Sequence, residues 1–302
     1  MLVRSVRIRL HRSRANVAHL IDGGSGVPSI CRSRGSVLGV TGATGAPGRT
    51  FLSINLALGL RAEGMSVVLV DADPHLGAVA AQLDLAEDRS LIYLAHEASI
   101  RPVDTDLVSR HLQSTSGLDV LTGRPVSGLG EVVPGPLLGE VVGLLRRRYD
   151  VVVIDAGALD CLPAQATALI CQMLVWVVVP TKLGTDLVDR TLSGPLAGQV
   201  RARPSLAVLN RLGSLALRDV DSSLRRRYGM AVAAAIADHR RACVEAEDRA
   251  RPAVLEGPLA PSLRRCARVV AASLARAGEL PRTTADEARL TVGTELFRET
   301  SL

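Results

Sequence analysis

The sequence predicts an α/β protein in which helices flank both faces of a mostly parallel β-sheet, in a single domain. Short and continuous apolar runs, such as residues 66–70 and 151–154, alternate along the chain with longer stretches of helical periodicity. Strands that are apolar on both faces lie in sheets that are covered on both sides. The 302 residues, 47% of them hydrophobic, suffice for one such domain with tails.

The elements follow one another in the order that this fold class requires. An apolar run ends at Val40, a glycine-rich loop follows, and helical periodicity extends over residues 50–62. The second strand, residues 66–70, ends at Asp71. The further predicted strands are residues 118–121, 151–154, 174–179, 206–211 and 230–236. The further predicted helices are residues 91–98, 104–112, 136–148, 241–250 and 261–277.

These elements divide the chain into three parts. Residues 1–36 form a basic, partly disordered arm, residues 37–277 form the folded domain, and residues 278–302 form a polar tail. The arm contains Arg4, Arg7, Arg9, Arg12 and Arg14. Two interpretations of the arm remain open: a solvated segment, or an electrostatic contact with anionic lipid or nucleic acid.

The composition argues against one functional class, the specific nucleic-acid-binding proteins. The net charge of +6 comes almost wholly from arginine, since Lys182 is the one lysine in the chain. An Arg-rich and Ala-rich chain often reflects a GC-rich genome, so the charge is weak support for a nucleic-acid partner. The aromatic content of 2% argues against a surface built on stacked bases. Specific nucleic-acid binding is therefore not expected.

The cysteines and the apolar runs place the protein in the cytoplasm. The five cysteines lack metal-binding spacing, and we predict buried thiols in a reducing compartment; they are Cys31, Cys161, Cys171, Cys243 and Cys266. The most apolar run, residues 168–180, is too short for a transmembrane helix. The prediction is a cytoplasmic protein, with peripheral association at the inner face of the membrane as a variant.

The glycine-rich loop allows two interpretations. The Walker A pattern G-x-x-x-x-G-K-[ST] would lie over residues 43–50, where Gly48 and Thr50 match it, but Ala43 and Arg49 do not. Alternatively, Gly42, Gly45 and Gly48 form a turn close to that of Rossmann dinucleotide-binding proteins. Either loop would cradle phosphates at the start of a helix. The loop by itself does not choose between them.

Four motifs in a fixed order favour the first interpretation. They are the loop with Gly42 and Thr50, Val70-Asp-Ala-Asp-Pro, Val151-Val-Val-Ile-Asp-Ala-Gly and Val208-Leu-Asn-Arg. With them, residues 37–277 resemble the MinD/ParA superfamily of P-loop ATPases, nearest its CpaE/TadZ branch, which is linked to Flp (Tad) pilus assembly. The resemblance implies a P-loop NTPase domain of the MinD/ParA type over these residues.

The resemblance also implies roles for individual residues. Nucleotide-binding residues would be Gly45, Ala46, Gly48, Arg49, Thr50, Phe51 and Asn210, of which Asn210 would bond the adenine edge. Thr50, Asp71 and Asp155 would hold Mg²⁺. Asp73 would orient the attacking water, and Arg49 would act with it in catalysis. Taken singly, Asp73, Asp155 and Asn210 also suit ordinary turn chemistry.

Three departures from the family pattern bear on activity. Arg49 replaces the P-loop lysine, and its planar fork does not fit the place of a compact ammonium. Pro47 has no N–H to donate to a phosphate. Thr44 stands where a lysine of the family would reach across an ATP-bound dimer. The departures predict slow hydrolysis and leave open whether nucleotide drives dimerisation.

The predicted function follows from the motifs and the departures together. It is an ATP-binding protein, with ATP and Mg²⁺ as cofactors, that positions a pilus, secretion or division machine as a slow ATPase. Its partners would be ATP or ADP, proteins of that machine and a second copy in a homodimer. One alternative is a pseudo-ATPase scaffold without turnover. A second is an NADP-binding Rossmann protein, although Val178 four residues before Lys182 excludes the catalytic Tyr-x-x-x-Lys motif of short-chain dehydrogenase-like proteins.

Overall fold

The computed structural model describes residues 35–43, 45, 47–123, 133–194, 197–212 and 217–279. Of the predicted N-terminal arm, only Gly35 and Ser36 fall within these residues, and Ser36 already belongs to the first strand. Thr44 and Ala46 of the glycine loop lie outside them. At the other end, the last helix continues to Glu279, into the predicted tail, and residues 280–302 lie outside the described part.

Eight strands of the described residues form one sheet in the order β3-β4-β2-β5-β1-β6-β7-β8. The strands are β1 (Ser36–Gly42), β2 (Val67–Asp71), β3 (Gln113–Thr115), β4 (Leu118–Leu121), β5 (Val151–Ala158), β6 (Met173–Val178), β7 (Ser205–Leu212) and β8 (Ala231–Ala237). Neighbouring strands are parallel, except that β3 pairs antiparallel with β4. The predicted mostly parallel sheet is thus confirmed. The sequence did not predict β3, a short edge strand of polar residues.

The helices alternate with the strands. They are α1 (Arg49–Ala62), α2 (Val79–Leu83), α3 (Leu91–Ala98), α4 (Thr105–His111), α5 (Gly135–Arg148), α6 (Leu162–Ile170), α7 (Lys182–Thr191), α8 (Ala197–Arg201), α9 (Leu217–Tyr228), α10 (Arg240–Asp248) and α11 (Ala260–Glu279). Six predicted helices correspond to α1, α3, α4, α5, α10 and α11, with ends shifted by one or two residues. No helix bounds were predicted from the sequence for α2, α6, α7, α8 and α9.

Two apolar clusters form the core, one on each face of the sheet. Val152 and Ile154 of β5 face the cluster under α3 to α9. Val151 and Val153 face the opposite cluster under α1, α2 and α11. Successive side chains of a strand point to opposite faces. The continuous apolar runs in the sequence therefore come from strands that are buried on both sides.

Helix α1 is fixed in the middle of one layer. Its residues 52–60 are all buried, so the whole circumference of its central part packs against other elements. A Cβ atom on Gly59 would lie 2.6 Å from the Cβ atom of Ala267 in α11, which shows how closely the two helices pack. The start of α1 is consequently held in place at the carboxyl edge of the sheet.

The strand order corrects one of the predicted alternatives. In the Rossmann sheet, with the order 3-2-1-4-5-6, the first strand pairs with the second. Here β1 lies between β5 and β6, and β2 pairs with the far side of β5. The interpretation as an NADP-binding Rossmann protein is therefore wrong, because its first βαβ unit would require β1 and β2 to be neighbours.

Candidate nucleotide-binding site

The loop between β1 and α1 presents backbone N–H groups at the start of a helix. Gly45 and Gly48 have φ angles of 91° and 94°, which L side chains rarely adopt. Gly48 is the residue before the first turn of α1, and no side chain caps that turn. The N–H groups of a first helical turn have no acceptor within the helix. Together with the helix dipole, they form a site suited to an anion.

Arg49 folds back over its own loop. Its Nη1 atom donates a hydrogen bond to the carbonyl oxygen of Ala43 at 2.9 Å. Its Nε atom is buried and has no partner in the described part of the chain. Since a guanidinium has five N–H donors, this contact leaves others for a ligand. The predicted phosphate contact of Arg49 stays a prediction.

Two buried carboxylates lie side by side below this loop. Asp71 ends β2 and pairs in register with Asp155 of β5. Their residues are 1% and 0% exposed. Asp71 accepts hydrogen bonds from the N–H groups of Asp73 and Val79, both at 3.2 Å. The shared edge of two parallel strands thus brings together two of the three residues predicted to hold the metal.

The third predicted metal ligand, Thr50, is the second residue of α1 and lies close enough to Asp155 to influence its pKa. Burial raises the pKa of Asp155 to about 6, while the Thr50 hydroxyl and the charge of Arg49 lower it. Burial and the neighbouring Asp155 raise the pKa of Asp71 well above its ordinary value. The Oδ2 atom of Asp155 is buried without a partner in the described residues. A hydroxyl and carboxylates in this arrangement are the oxygen ligands that Mg²⁺ prefers.

Asp73 lies at the turn after β2 and is 9% exposed. Its Oδ1 atom accepts hydrogen bonds from the N–H groups of His75 at 2.8 Å and Leu76 at 3.3 Å. The carboxylate rests on Gly157, where a Cβ atom would lie 2.6 Å from Asp73 Cγ. Asp73 can therefore both stabilise this turn and orient the attacking water, since only one of its carboxylate oxygens, Oδ1, accepts the hydrogen bonds of the turn.

Two glycines missed by the sequence analysis make room for these carboxylates. Gly157 has a φ of 67° and admits Asp73. Gly123 admits Asp71, because a Cβ atom there would lie 2.8 Å from Asp71 Cγ. Gly157 stands two residues after Asp155 in the third motif, so its position was a usable signal. Nothing local in the sequence marks Gly123.

Asn210 lies at the end of β7 and contacts the glycine loop. Its Nδ2 atom donates to the carbonyl oxygen of Pro47 at 2.7 Å. A Cβ atom on Gly48 would lie 2.5 Å from the same nitrogen. Asn210 therefore holds the loop from the side; its predicted bond to adenine stays a prediction. The next residue, Arg211, has a φ of 55°, unusual for a residue with a side chain.

These residues border a cleft of about 720 Å³. Its lining includes five of the six described residues predicted to bind nucleotide, and also the predicted catalytic Asp73; the five are Gly48, Arg49, Thr50, Phe51 and Asn210. It also includes Arg211 and Arg240, which the sequence analysis did not assign to the site. The volume lies in the range of small-molecule and cofactor sites. Its charged lining is mixed: three arginines, which can bind phosphate oxygens, stand beside the carboxylates of Asp73, Asp238 and Glu247.

The cysteines correct one prediction. Cys171 and Cys266 are buried, as expected, but Cys161 and Cys243 are partly exposed. Cys31 lies outside the described residues. Burial raises the pKa of the Cys161 thiol, and the neighbouring carboxylate of Asp160 raises it further. No helix in the described residues is both long and apolar enough to cross a membrane.

Comparison of the sequence with known proteins gives a match over part of the chain. No family model matches the chain. A stretch of 120 residues, 38% of the chain, is 33% identical to the putative tyrosine-protein kinase EpsB of Ralstonia nicotianae and 32% identical to that of Ralstonia solanacearum. The match spans 15% of the length of these relatives.

Solved structures match over nearly their whole length. The cell division ATPase MinD of Pyrococcus furiosus is 22% identical with a TM-score of 0.63, covering 78% of this chain and 98% of its own. A ParA family ATPase from Chlorobium tepidum is 18% identical with a TM-score of 0.66, covering 77% and 98%. The septum site-determining protein MinD of Pyrococcus horikoshii, complexed with Mg-ADP, is 18% identical with a TM-score of 0.63, covering 81% and 99%.

At these identities, the likeness concerns the fold. The order of the strands, the glycine loop between β1 and α1, and the aspartates at the ends of β2 and within β5 agree with it. The chain has the fold of the MinD/ParA P-loop ATPases.

Proposed function

We propose that the chain binds ATP with Mg²⁺ in the cleft beside the β1–α1 loop and hydrolyses it slowly. The observation that carries this proposal is the pair of buried carboxylates, Asp71 and Asp155, which lie in register on the adjacent strands β2 and β5. The buried, unpartnered Oδ2 atom of Asp155 fits a cation. When bound, Mg²⁺ would neutralise phosphate charge; Thr50, Asp71 and Asp155 would hold it.

The chain's own residues would position the nucleotide for this reaction. The N–H groups at Gly45, Gly48 and the first turn of α1 would bind phosphate oxygens. Asp73, largely buried at the wall of the cleft, would orient the attacking water through the carboxylate oxygen that does not make the turn. Phosphoryl transfer of this type depends on positioning and electrostatic stabilisation. The Ala43 contact of Arg49 competes with its use at the phosphates, which favours slow turnover.

The cellular role in the proposal is that of a cytoplasmic, CpaE/TadZ-like protein that positions a pilus, secretion or division machine. It rests on the four ordered motifs and on exposed leucines around the site. Leu76, Leu162 and Leu183 follow β2, β5 and β6 and are 54%, 42% and 68% exposed. The carboxyl ends of these parallel strands lie at the edge that carries the cleft. Apolar side chains exposed at this edge suit a protein partner or a second copy of the chain.

A calorimetric titration tests the nucleotide. We expect saturable binding of Mg-ATP and ADP at one site per chain, and no binding of NADPH, because the sheet has no Rossmann unit. The control titrates ATP in the presence of a chelator, which should weaken binding through loss of the cation. Failure of all adenine nucleotides to bind would contradict the proposal.

A scaffold without turnover is the second candidate, and the contact of Arg49 with Ala43 favours it. Asp73→Asn separates the two candidates. Asparagine keeps an oxygen for the His75 and Leu76 N–H groups, so we expect ATP affinity within a few-fold of wild type. If turnover exists, phosphate release should fall at least about a hundredfold, the lower end of what one positioned general base contributes. Wild-type release indistinguishable from that of Asp73→Asn would favour the scaffold.

A further inference from the structure

A second group of potential ligands lies beside the cleft. It comprises His75, in the loop between β2 and α2, and Asp160 with Cys161, in the turn between β5 and α6. One ligand atom of each of the three residues lies within 4.8 Å of the others. The Nε2 atom of His75 is 2.9 Å from Oδ1 of Asp160. The nucleotide proposal uses none of these three side chains.

The topology explains why the three meet. Because β2 and β5 are parallel and Asp71 pairs with Asp155, the loops that follow them leave the sheet side by side. The backbone holds each loop in place. Asp73 accepts the N–H of His75, and the N–H of Leu159 donates to the carbonyl oxygen of Gly42 at 3.2 Å. Cys161 immediately precedes the first turn of α6. The ligand atoms therefore come from well-anchored positions.

We propose that His75, Asp160 and Cys161 form a binding site for Zn²⁺. Imidazole nitrogen, carboxylate oxygen and thiolate sulfur are the ligands of zinc in proteins, and three such ligands leave a fourth position for water. Magnesium and calcium take oxygen ligands, so the sulfur and nitrogen select against them. The site is new relative to the Mg²⁺ site proposed above and does not rest on nucleotide binding.

The distances suit this ion after small side-chain movements. In a tetrahedral site with bonds of about 2.0–2.3 Å, ligand atoms are about 3.3–3.7 Å apart. The 2.9 Å contact of His75 with Asp160 must open slightly, and the separations of up to 4.8 Å must close. The side chains of His75 and Asp160 are 55% and 33% exposed, so an ion can enter from solvent and the rotamers can adjust.

Occupancy would change the neighbouring cleft. His75 belongs to the cleft lining, and the charge of Asp73 is felt at the Cys161 sulfur. A divalent cation on the three ligands would place positive charge beside Asp73. Zinc is thus a ligand whose binding would be felt at the residue that we assign to the attacking water.

The test measures metal binding by the full chain without nucleotide, so its outcome is independent of the proposed function. Zn²⁺ affinity is measured by competition with a chromogenic chelator, and Co²⁺ is used as a spectroscopic probe. We expect one ion per chain and a thiolate-to-cobalt charge-transfer band. Because each variant removes a direct ligand, Cys161→Ser and His75→Ala should each weaken zinc binding by at least about tenfold. The band should vanish in Cys161→Ser.

Two controls make the result specific. Cys243→Ser removes the other partly exposed thiol of the described residues and should leave zinc affinity and the cobalt band unchanged. Asp155→Asn should also leave them unchanged, since Asp155 belongs to the Mg²⁺ site. Circular dichroism checks the fold of each variant. If Cys161→Ser misfolds, His75→Ala, a change of an exposed side chain, provides the test instead. Absence of zinc binding, absence of the thiolate band, or wild-type affinity in a folded Cys161 or His75 variant would overturn the proposal.

Discussion

Asp155→Asn is expected to make the free protein more stable at pH 7 and to weaken its binding of Mg-ATP. Asp155 is fully buried in β5, and burial is the main cause of its raised pKa of about 6. An ionised carboxylate there costs folding free energy, which a neutral amide of the same shape avoids. Asparagine keeps an oxygen for the Gly157 N–H, which Asp155 Oδ1 accepts at 3.4 Å.

The sign of the pH dependence follows from proton linkage. Between the ordinary pKa of 3.8 and the raised value of about 6, the folded protein binds more protons than the unfolded chain. The stability of the wild type should therefore fall as pH rises through this window and stay low above it. At pH 7 the penalty is up to about 3 kcal/mol, at 1.36 kcal/mol per pKa unit. The pKa of Asp71, also raised, acts in the same direction.

Urea denaturation at pH 4 and pH 7, with and without Mg-ATP, measures how the free energy of unfolding depends on pH and on the ligand. Asp155→Asn should flatten the pH dependence, and Mg-ATP should stabilise the variant less than the wild type. Calorimetry should show a larger loss for Mg-ATP than for metal-free nucleotide. The control is Asp186→Asn, an exposed aspartate in an i,i+4 pair with Lys182, expected within about 0.5 kcal/mol of wild type. Lower stability of Asp155→Asn at pH 7 would contradict the account of the buried carboxylates.

Arg49→Ala is expected to lower ATP affinity roughly ten- to a hundred-fold. The variant removes a charge-assisted contact worth about 1.5–3 kcal/mol, provided that the guanidinium turns from the Ala43 carbonyl to the phosphates. Its buried Nε atom, without a described partner, is a donor that such a turn would satisfy. Arg147→Ala, which removes the same charge from an exposed position at the end of α5, should leave affinity unchanged.

Arg49→Lys tests whether the cation at the P-loop position is what limits hydrolysis in an otherwise competent site. A lysine is a compact ammonium on a flexible stem, and it cannot reproduce the planar fork of the guanidinium. If the rest of the site is competent, phosphate release should rise above that of the wild type, because the cation then fits the P-loop position. Calorimetry and a phosphate-release assay on both variants decide this. Lysine and alanine variants that both bind ATP as the wild type does would exclude a phosphate role for Arg49.

Several elements could be predicted from the sequence because their causes are local. The apolar runs predicted most strand ends within one or two residues, for example β4 at Leu118–Leu121, whereas β5 continues four residues beyond its predicted end, to Ala158. The glycine loop before a helical period gave the start of α1. Where local signals are weak, the predictions failed: β3 consists of three polar residues, and α7 carries a single fully buried residue, Val188. Both elements are held by their neighbours rather than by their own pattern.

The sequence by itself determined which aspartates lie towards the C-terminal ends of the strands, since Asp71 and Asp155 each follow a buried apolar run. It could not determine that they are neighbours. That depends on β5 lying between β2 and β1, which hydrogen bonds between distant segments decide. Likewise, the sequence supplied an arginine at the P-loop position, but only tertiary packing places its guanidinium on Ala43 and near Asp155. Side-chain direction in a crowded loop depends on contacts that no local pattern encodes.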